Sequence, residues 1–411
     1  MYSCHFGLDS FFDVFVCTYV PNDKTPPIQV QIRSNSLWLD GIKDSFDKAY
    51  KCVEDVLASF DIKIKETQEN RIDYAFHTNY INDLMNFFPE KDLKRMQISN
   101  FGRAEKQYDL QTFSDDEEIE SDYLLIGRKK SNNALFVAYN KTKEVIEQGY
   151  KQFFIPVWKK YGLINDFDVW LLEKAFKKGK YEEKDRARCE FYYDYGKDDE
   201  IRREIYSKLQ NPDTPLKWFK KRAKGLVPDM TIITNIEIRT KRKIYERLKK
   251  PFVTNDKTPK KNIYSIFNQM SEIISFITEE TIRFVKYKGE HEQTERTKRP
   301  MADWWVRLRN AKKIEIENML DIDYIRQYEH DLNLERQKSL TLNKLAGAGA
   351  FLNVTTGVFE YAKVKNKENK PRKDILTDFQ RFYGELNDND FRKYGIIRDK
   401  RQKDILRRRN E

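Results

Sequence analysis

The chain has 411 residues and a net charge of +11, with 35 % charged and 14 % aromatic residues. This is too aromatic for a disordered polypeptide and too charged for a membrane-embedded one, and its length suits two or three domains. The positive balance points to an acidic partner, of which nucleic acid is the commonest, rather than a membrane surface.

No apolar run reaches the ~20 residues that span a bilayer. The first residues, MYSCHFGLDSFFDVFV, lack a basic leader and a small-residue cleavage site, so a cytoplasmic location is expected. Cys4, Cys17, Cys52 and Cys189 are scattered without a C-x-x-C pair, which fits reduced thiols and argues against structural zinc. His5, His77, His291 and His330 are far apart in sequence. A metal must therefore lean on carboxylates, which suits Mg²⁺ or Mn²⁺.

In chain order, Phe11–Tyr19 and Ile28–Arg33 read as strands, followed by a helix from Asp40 to Phe60 with apolar residues at helical spacing. Ile62–Glu66 (IKIKE) and Arg71–His77 (RIDYAFH) read as a further strand pair. In the second, Ile72, Tyr74 and Phe76 take the core side, and Arg71, Asp73, Ala75 and His77 take the other. An aspartate is uncommon inside a strand, so Asp73 asks for a reason. A solvated face with an Arg71–Asp73 pair is the plain one. Asn79–Phe88 and Glu90–Met96 read as short helices around Pro89, and the acidic run within Thr112–Asp122 as a solvated loop.

Ser121–Glu144 reads as a β-hairpin with a polar turn at Arg128–Asn133. Leu135, Val137 and Tyr139 share one face of its second strand, and Tyr139 stands at the strand end with Lys141 and Glu144 close behind. Taken alone, such a tyrosine usually packs on a core. With basic neighbours, including Arg128, Lys129 and Lys130 from the turn, it is placed to attack a phosphodiester.

Glu144–Lys180 reads as helical with a break near Pro156. Ala187–Gly196 (ARCEFYYDYG) alternates like a strand, with Arg188 and Glu190 on one face. If these strands are neighbours, Asp73, His77 and Glu190 gather round a divalent ion while Lys141 and Arg188 offset charge that develops at the phosphate.

Asp198–Leu209 and Pro215–Lys224 read as short basic helices, and Met230–Arg239 as one more strand. Residues 251–262 and 289–300 read as linkers around an amphipathic helix from Ile263 to Tyr287. In MADWWVRLRNAKK, Trp304 and Trp305 stand beside Arg307 and Arg309, a mix of aromatic and basic residues that suits a nucleic-acid surface and equally a buried tryptophan pair with a solvated basic face. The expected fold is α+β: a mostly antiparallel sheet core with helices on one face, then a mainly helical C-terminal region. The expected division is 1–250 and 251–411.

Three segments together resemble the replication initiators of small rolling-circle plasmids of the staphylococcal type and the related relaxases of conjugative transposons. They are RIDYAF at Arg71–Phe76, the hairpin pair LIGRKKS and FVAYNKTKE at Leu125–Glu144, and RCEF at Arg188–Phe191. The hairpin departs from the family pattern at Leu125 and Lys129, and His77 stands where the family often has a second acidic residue.

The resemblance implies that Tyr139 attacks one strand at a replication origin. That would form a 5′-phosphotyrosine bond and release a 3′-OH, with Asp73 and Glu190 binding a divalent metal. It also implies double- and single-stranded DNA as partners and a host helicase. The C-terminal half would supply origin recognition or oligomerisation, including a homodimer. The alternative is a DNA-binding regulator of the same fold that does no chemistry. An RNA-binding or scaffold protein is a third class.

Overall fold

The computed structural model describes residues 4–8, 11–17, 26–89, 93, 96–99, 108–113, 120–127, 134–149, 151–248, 261–286, 295–311, 328, 331–337, 340–342, 394–395, 397–399, 401–402 and 405–406. The fold is α+β, with antiparallel sheets and many helices. No helix among the described residues is long and apolar enough to cross a membrane.

The chain forms two compact units, Met1–Lys141 with Ile232–Leu320, and Thr142–Thr231 with Asp321–Glu411. This division does not coincide with 1–250 and 251–411. The sheet of the first unit is completed only by a strand beyond residue 232, and the residues after that strand pack on its core face.

The first unit opens with an antiparallel meander, β1 (Cys4–Leu8), β2 (Phe12–Val16) and β3 (Ile28–Ile32), then α1 (Ser34–Leu39) and α2 (Gly41–Ala58). The buried Asp13 is held by Arg33, whose Nη2 lies 2.6 Å away, and by His5 Nε2 at 2.8 Å. The hydrogen bond from Arg33 lowers the Asp13 pKa below the usual carboxylate range.

Next come β4 (Arg71–Thr78), α3 (Leu84–Phe87), β5 (Gln97–Ser99), β6 (Tyr108–Phe113), β7 (Glu120–Ile126) and β8 (Ala134–Asn140). The expected hairpin is present, with Tyr123 opposite Tyr139. Glu120–Asp122, the end of the acidic run read as a loop, belong to β7, and residues 114–119 lie outside the described residues. The IKIKE segment is not a strand. Its alternation is real, but β4 is an edge of its sheet and pairs only with a strand from later in the chain. Without a ladder partner, alternation does not make a strand.

The second unit contains α4 (Lys141–Gln148, whose first residue closes the first unit), α5 (Phe154–Lys160), α6 (Asp166–Lys178), α7 (Glu183–Tyr195), α8 (Asp199–Gln210) and α9 (Leu216–Ala223). Pro156 sits in the first turn of α5, where it breaks no intrahelical bond. Helix α6 has a capping box between Asn165 and Asp168 and ends on Gly179 at φ 66°, a left-handed conformation that favours glycine.

The segment read as a strand, Ala187–Gly196, is helical to Tyr195, the last residue of α7, with Gly196 as its extended C-cap. Its buried positions are Asp185, Ala187, Arg188 and Cys189, of which Arg188 and Cys189 follow Asp185 by three and four. Arginine occupies one of these inward positions, so the apolar pattern is masked and the alternation of Glu190, Tyr192 and Asp194 stands out instead.

The chain returns to the first unit with β9 (Thr234–Lys241), then α10 (Lys261–Asn268), α11 (Met270–Phe276), β10 (Ile282–Phe284) and α12 (Asp303–Arg309). The helix read through to Tyr287 gives way to a π turn at Ile277–Thr281 and then to β10, paired with β5. The main sheet has the order β4-β9-β8-β7-β6, antiparallel throughout.

On one face Tyr74, Ile236, Ile238, Phe136, Ala138, Leu124 and Ile126 join Ile266, Met270, Ile273, Phe284 and Trp305 in a single core. Trp305 Nε1 donates to the Thr278 carbonyl at 2.9 Å. Trp305 is thus a core residue. Arg309 pairs with Glu279, and Arg307 lies over the Tyr80 ring at 5.5 Å.

Candidate active site

The opposite face of the sheet carries the polar residues. Register places them in rows across the strands. His77 faces Asn235, which faces Tyr139, which faces Tyr123. In the next row Ala75 faces Glu237, which faces Val137, and in the third Asp73 faces Arg239, which faces Leu135. Strand β9 lies between the two strands that carry Asp73 and Tyr139.

Tyr139 is half-buried at the end of β8. Lys141, buried at the first position of α4, donates from Nζ to the Tyr139 hydroxyl at 3.4 Å, and Nζ lies 5.5 Å from the ring centroid. The backbone N–H of Lys141 donates to the Ile233 carbonyl at 2.8 Å, which ties this strand end to the start of β9. On its other side the Tyr139 ring stacks on Tyr123, with centroids 6.4 Å apart. An ammonium held against a phenol oxygen can offset negative charge that develops there.

Two carboxylates and two guanidinium groups make up the neighbouring cluster. Arg71 forks onto Asp73, with Nε 2.7 Å from Oδ1, and its Nη2 lies 3.8 Å from Glu237 Oε1. Arg239 Nε donates to Glu237 Oε1, and Asn235 Nδ2 donates to Glu237 Oε2 at 3.2 Å. Glu237 is only 7 % exposed. Burial raises its pKa above 4.5, and the Asp73 charge raises it further, against the pull of Arg239. The pKa of Arg239 is raised in turn: burial would lower it, but Glu237 and Asp73 outweigh that. Asn235 is 1 % exposed, and its Oδ1 has no hydrogen-bond partner among the described residues.

Because the folded state holds the Glu237 proton more tightly than the unfolded chain does, stability falls as pH rises from 4.5 through the raised value, and is level above it. Glu237→Gln is expected to remove that decline. Thermal unfolding of both proteins across this range, with a chelator present, checks it. Parallel pH profiles would show that Glu237 titrates normally.

The expected site residues are only partly brought together. Arg71, Asp73, His77 and Tyr139 share one sheet face, as anticipated. Asp73, however, is two strands from Tyr139, roughly 10 Å across the sheet, and four positions along, about 13 Å. His77 is separated from Asp73 by the same four positions and stacks on Trp38 with centroids 5.7 Å apart.

Arg188 and Glu190 lie on helix α7, not on a strand beside Tyr139. The buried Arg188 donates to the Val227 carbonyl at 2.6 Å and the Pro228 carbonyl at 2.9 Å, and pairs with Asp185 and Asp229. Glu190 pairs with Lys174 at 3.2 Å. Glu144 pairs with Lys151 at 2.6 Å. Among the described residues no group of three or more His, Cys, Asp and Glu side chains is arranged to hold a metal ion, so Asp73, His77 and Glu190 do not form one. Arg128, Lys129 and Lys130 lie outside the described residues.

Glu237, Asn235 and Arg239 escape the sequence reading, although their signal is present. In TNIEIRT the polar residues 235, 237 and 239 alternate with Ile236 and Ile238, the same pattern that singles out Asp73. Glu237 is a strand glutamate on the same sheet face as Asp73 and Tyr139. No protein-family profile, curated protein or solved structure matches the chain.

Proposed function

We propose that the chain cuts and rejoins one strand of DNA at a replication origin, with Tyr139 as the nucleophile. The observation that carries this reading is the Tyr139 hydroxyl, held 3.4 Å from the buried Lys141 ammonium on a polar sheet face. The net charge of +11 and the resemblance of RIDYAF and FVAYNKTKE to rolling-circle initiators support it.

In the reaction the Tyr139 oxygen bonds to phosphorus as its proton leaves, and the bond to the 3′ oxygen breaks. That oxygen takes up a proton and departs as a 3′-OH, leaving the 5′ phosphate esterified to the tyrosine. Attack by a 3′-OH reverses the step and rejoins the strand. Lys141 offsets charge on the attacking oxygen, Tyr123 holds the ring of the nucleophile, and Arg71 and Arg239 offer positive charge on the same face.

The donor chemistry fits a hard divalent ion. Asp73 and Glu237 are carboxylates close enough to repel. Mg²⁺ or Mn²⁺ held by these oxygens would polarise a phosphate, and Asp73 and Glu237 replace the set that included His77 and Glu190.

A metal-dependent protein–DNA adduct is expected when the protein is incubated with supercoiled DNA carrying its own gene and flanks, then run on a denaturing gel. One observation favours a second reading, a DNA-binding regulator without chemistry: Arg71 and Arg239 already neutralise both carboxylates. Tight, specific binding with no adduct would decide for it. A host helicase partner, a homodimer and a cytoplasmic location belong to the initiator reading.

A further inference from the structure

Helices α7, α8 and α9 form a small bundle around the buried residues Cys189, Ile205, Phe219 and Ala223. Helices α8 and α9 are joined by residues 211–215, a turn fixed by its own hydrogen bonds. Asp213 N donates to Asn211 Oδ1 at 2.9 Å, and Thr214 Oγ1 donates to the Lys208 carbonyl at 3.0 Å. Arg186 Nη2 of α7 caps the Leu209 carbonyl at 3.1 Å. Helix α9 is therefore held in place on the bundle, with Phe219 and Ala223 inward.

The charge on this helix pair is one-sided. Helix α8 balances Asp199, Glu200 and Glu204 against Arg202, Arg203 and Lys208. From Leu216 to Gly225 there are five basic residues and no acidic one. Arg222 is turned aside into an ion pair with Glu204 at 2.9 Å. Lys217, Lys220, Lys221 and Lys224 are exposed. Positions 217, 221 and 224 follow the i, i+4, i+7 spacing of one helix face and span about 10 Å, comparable with a major groove about 12 Å wide.

We propose that the exposed lysine face of α9 docks on the phosphates of double-stranded DNA. A rigid helix presented by a short turn suits a groove. A single strand calls for aromatic platforms on the basic face itself, whereas Trp218 of α9 is half-buried and Phe219 buried, and the exposed Tyr195 and Tyr206 stand on α7 and α8. A membrane calls for a free apolar face, and the apolar face of α9 is packed inside the bundle. This puts a duplex contact within residues 199–224, ahead of the C-terminal half in which origin recognition is expected. It does not rest on the chemistry at Tyr139.

The test uses the full chain and a short labelled duplex, with affinity measured by anisotropy over a range of salt. Each phosphate contact contributes about 0.9 to the log–log salt slope. Replacing Lys217, Lys221 and Lys224 together by glutamine is expected to lower that slope by about 2–3 and to weaken binding at least roughly tenfold. The triple arginine variant is expected to retain both. Adduct formation on single-stranded DNA is expected to survive in all three proteins, which separates this result from a failure of the nicking reading. An unchanged slope in the glutamine triple would overturn the proposal. So would an equal loss in the arginine triple, or a loss larger on single strands or RNA duplexes than on DNA duplexes.

Discussion

Tyr139→Phe is expected to abolish the covalent protein–DNA product while leaving the protein folded. The substitution removes one oxygen. The ring stays stacked on Tyr123, and the hydrogen bond from Lys141 disappears with the hydroxyl, at a cost of about 0.5–1.5 kcal/mol of stability. Without the oxygen no phosphotyrosine bond can form. Lys141→Met keeps most of the buried side-chain volume but removes the ammonium. Loss of one donor that stabilises developing charge costs about 10²–10³ in rate, so the adduct is expected to form slowly rather than not at all. Denaturing gels of timed reactions compare the three proteins. An adduct that persists in Tyr139→Phe would move the nucleophile to another residue, with the stacked Tyr123 the first to replace.

Arg188→Ala is expected to destabilise the helical unit by about 3–5 kcal/mol, the cost of breaking a buried ion pair from one side. The arginine is nearly fully buried and satisfies the carbonyls of Val227 and Pro228 as well as Asp185, which would be left charged and buried. Urea unfolding followed by far-UV circular dichroism reads the change. This outcome separates a catalytic Arg188 from a packing one. A catalytic residue would lower adduct formation with little effect on stability, whereas the contacts of α7 require the reverse. A loss of less than about 1 kcal/mol, the scale of a surface ion pair, would sink the packing role.

The sheet face is legible in the sequence because period-two patterns report directly on strands. RIDYAFH puts Asp73 and His77 on one side and Tyr74 on the other. FVAYN does the same for Tyr139, and the turn composition between residues 127 and 134 marks the hairpin. The failure at RCEF is of another kind. A helix whose inward positions include an arginine loses the apolar spacing by which helices are recognised, and aromatic residues alternating with charged ones then imitate a strand. The order of the strands is not legible at all. Nothing local in TNIEIRT says that it inserts between β4 and β8, so its glutamate is passed over in favour of one in the wrong element. The tryptophan pair at 304–305 leaves two readings open that only packing can separate.

The late arrival of β9 also sets a timetable for the polypeptide. Thr240 Oγ1 hydrogen-bonds to the Ile72 carbonyl across 168 positions of sequence, and Thr234 Oγ1 to that of Ile81 across 153. Contacts of such long range are slow to form. Until residue 241 has left the ribosome, β4 and β8 are each missing a neighbour, and Asp73 and Tyr139 belong to separate pieces of chain. The intervening segment, Thr142–Thr231, is helical, and its unit is completed later still: Arg336 donates to the Ile146 carbonyl at 2.6 Å and the Glu147 carbonyl at 2.9 Å. A nascent or truncated chain ending before β9 would therefore carry the tyrosine and the lysine without the assembled face, with β4 lacking any ladder partner and an open edge on β8 prone to pairing with other chains.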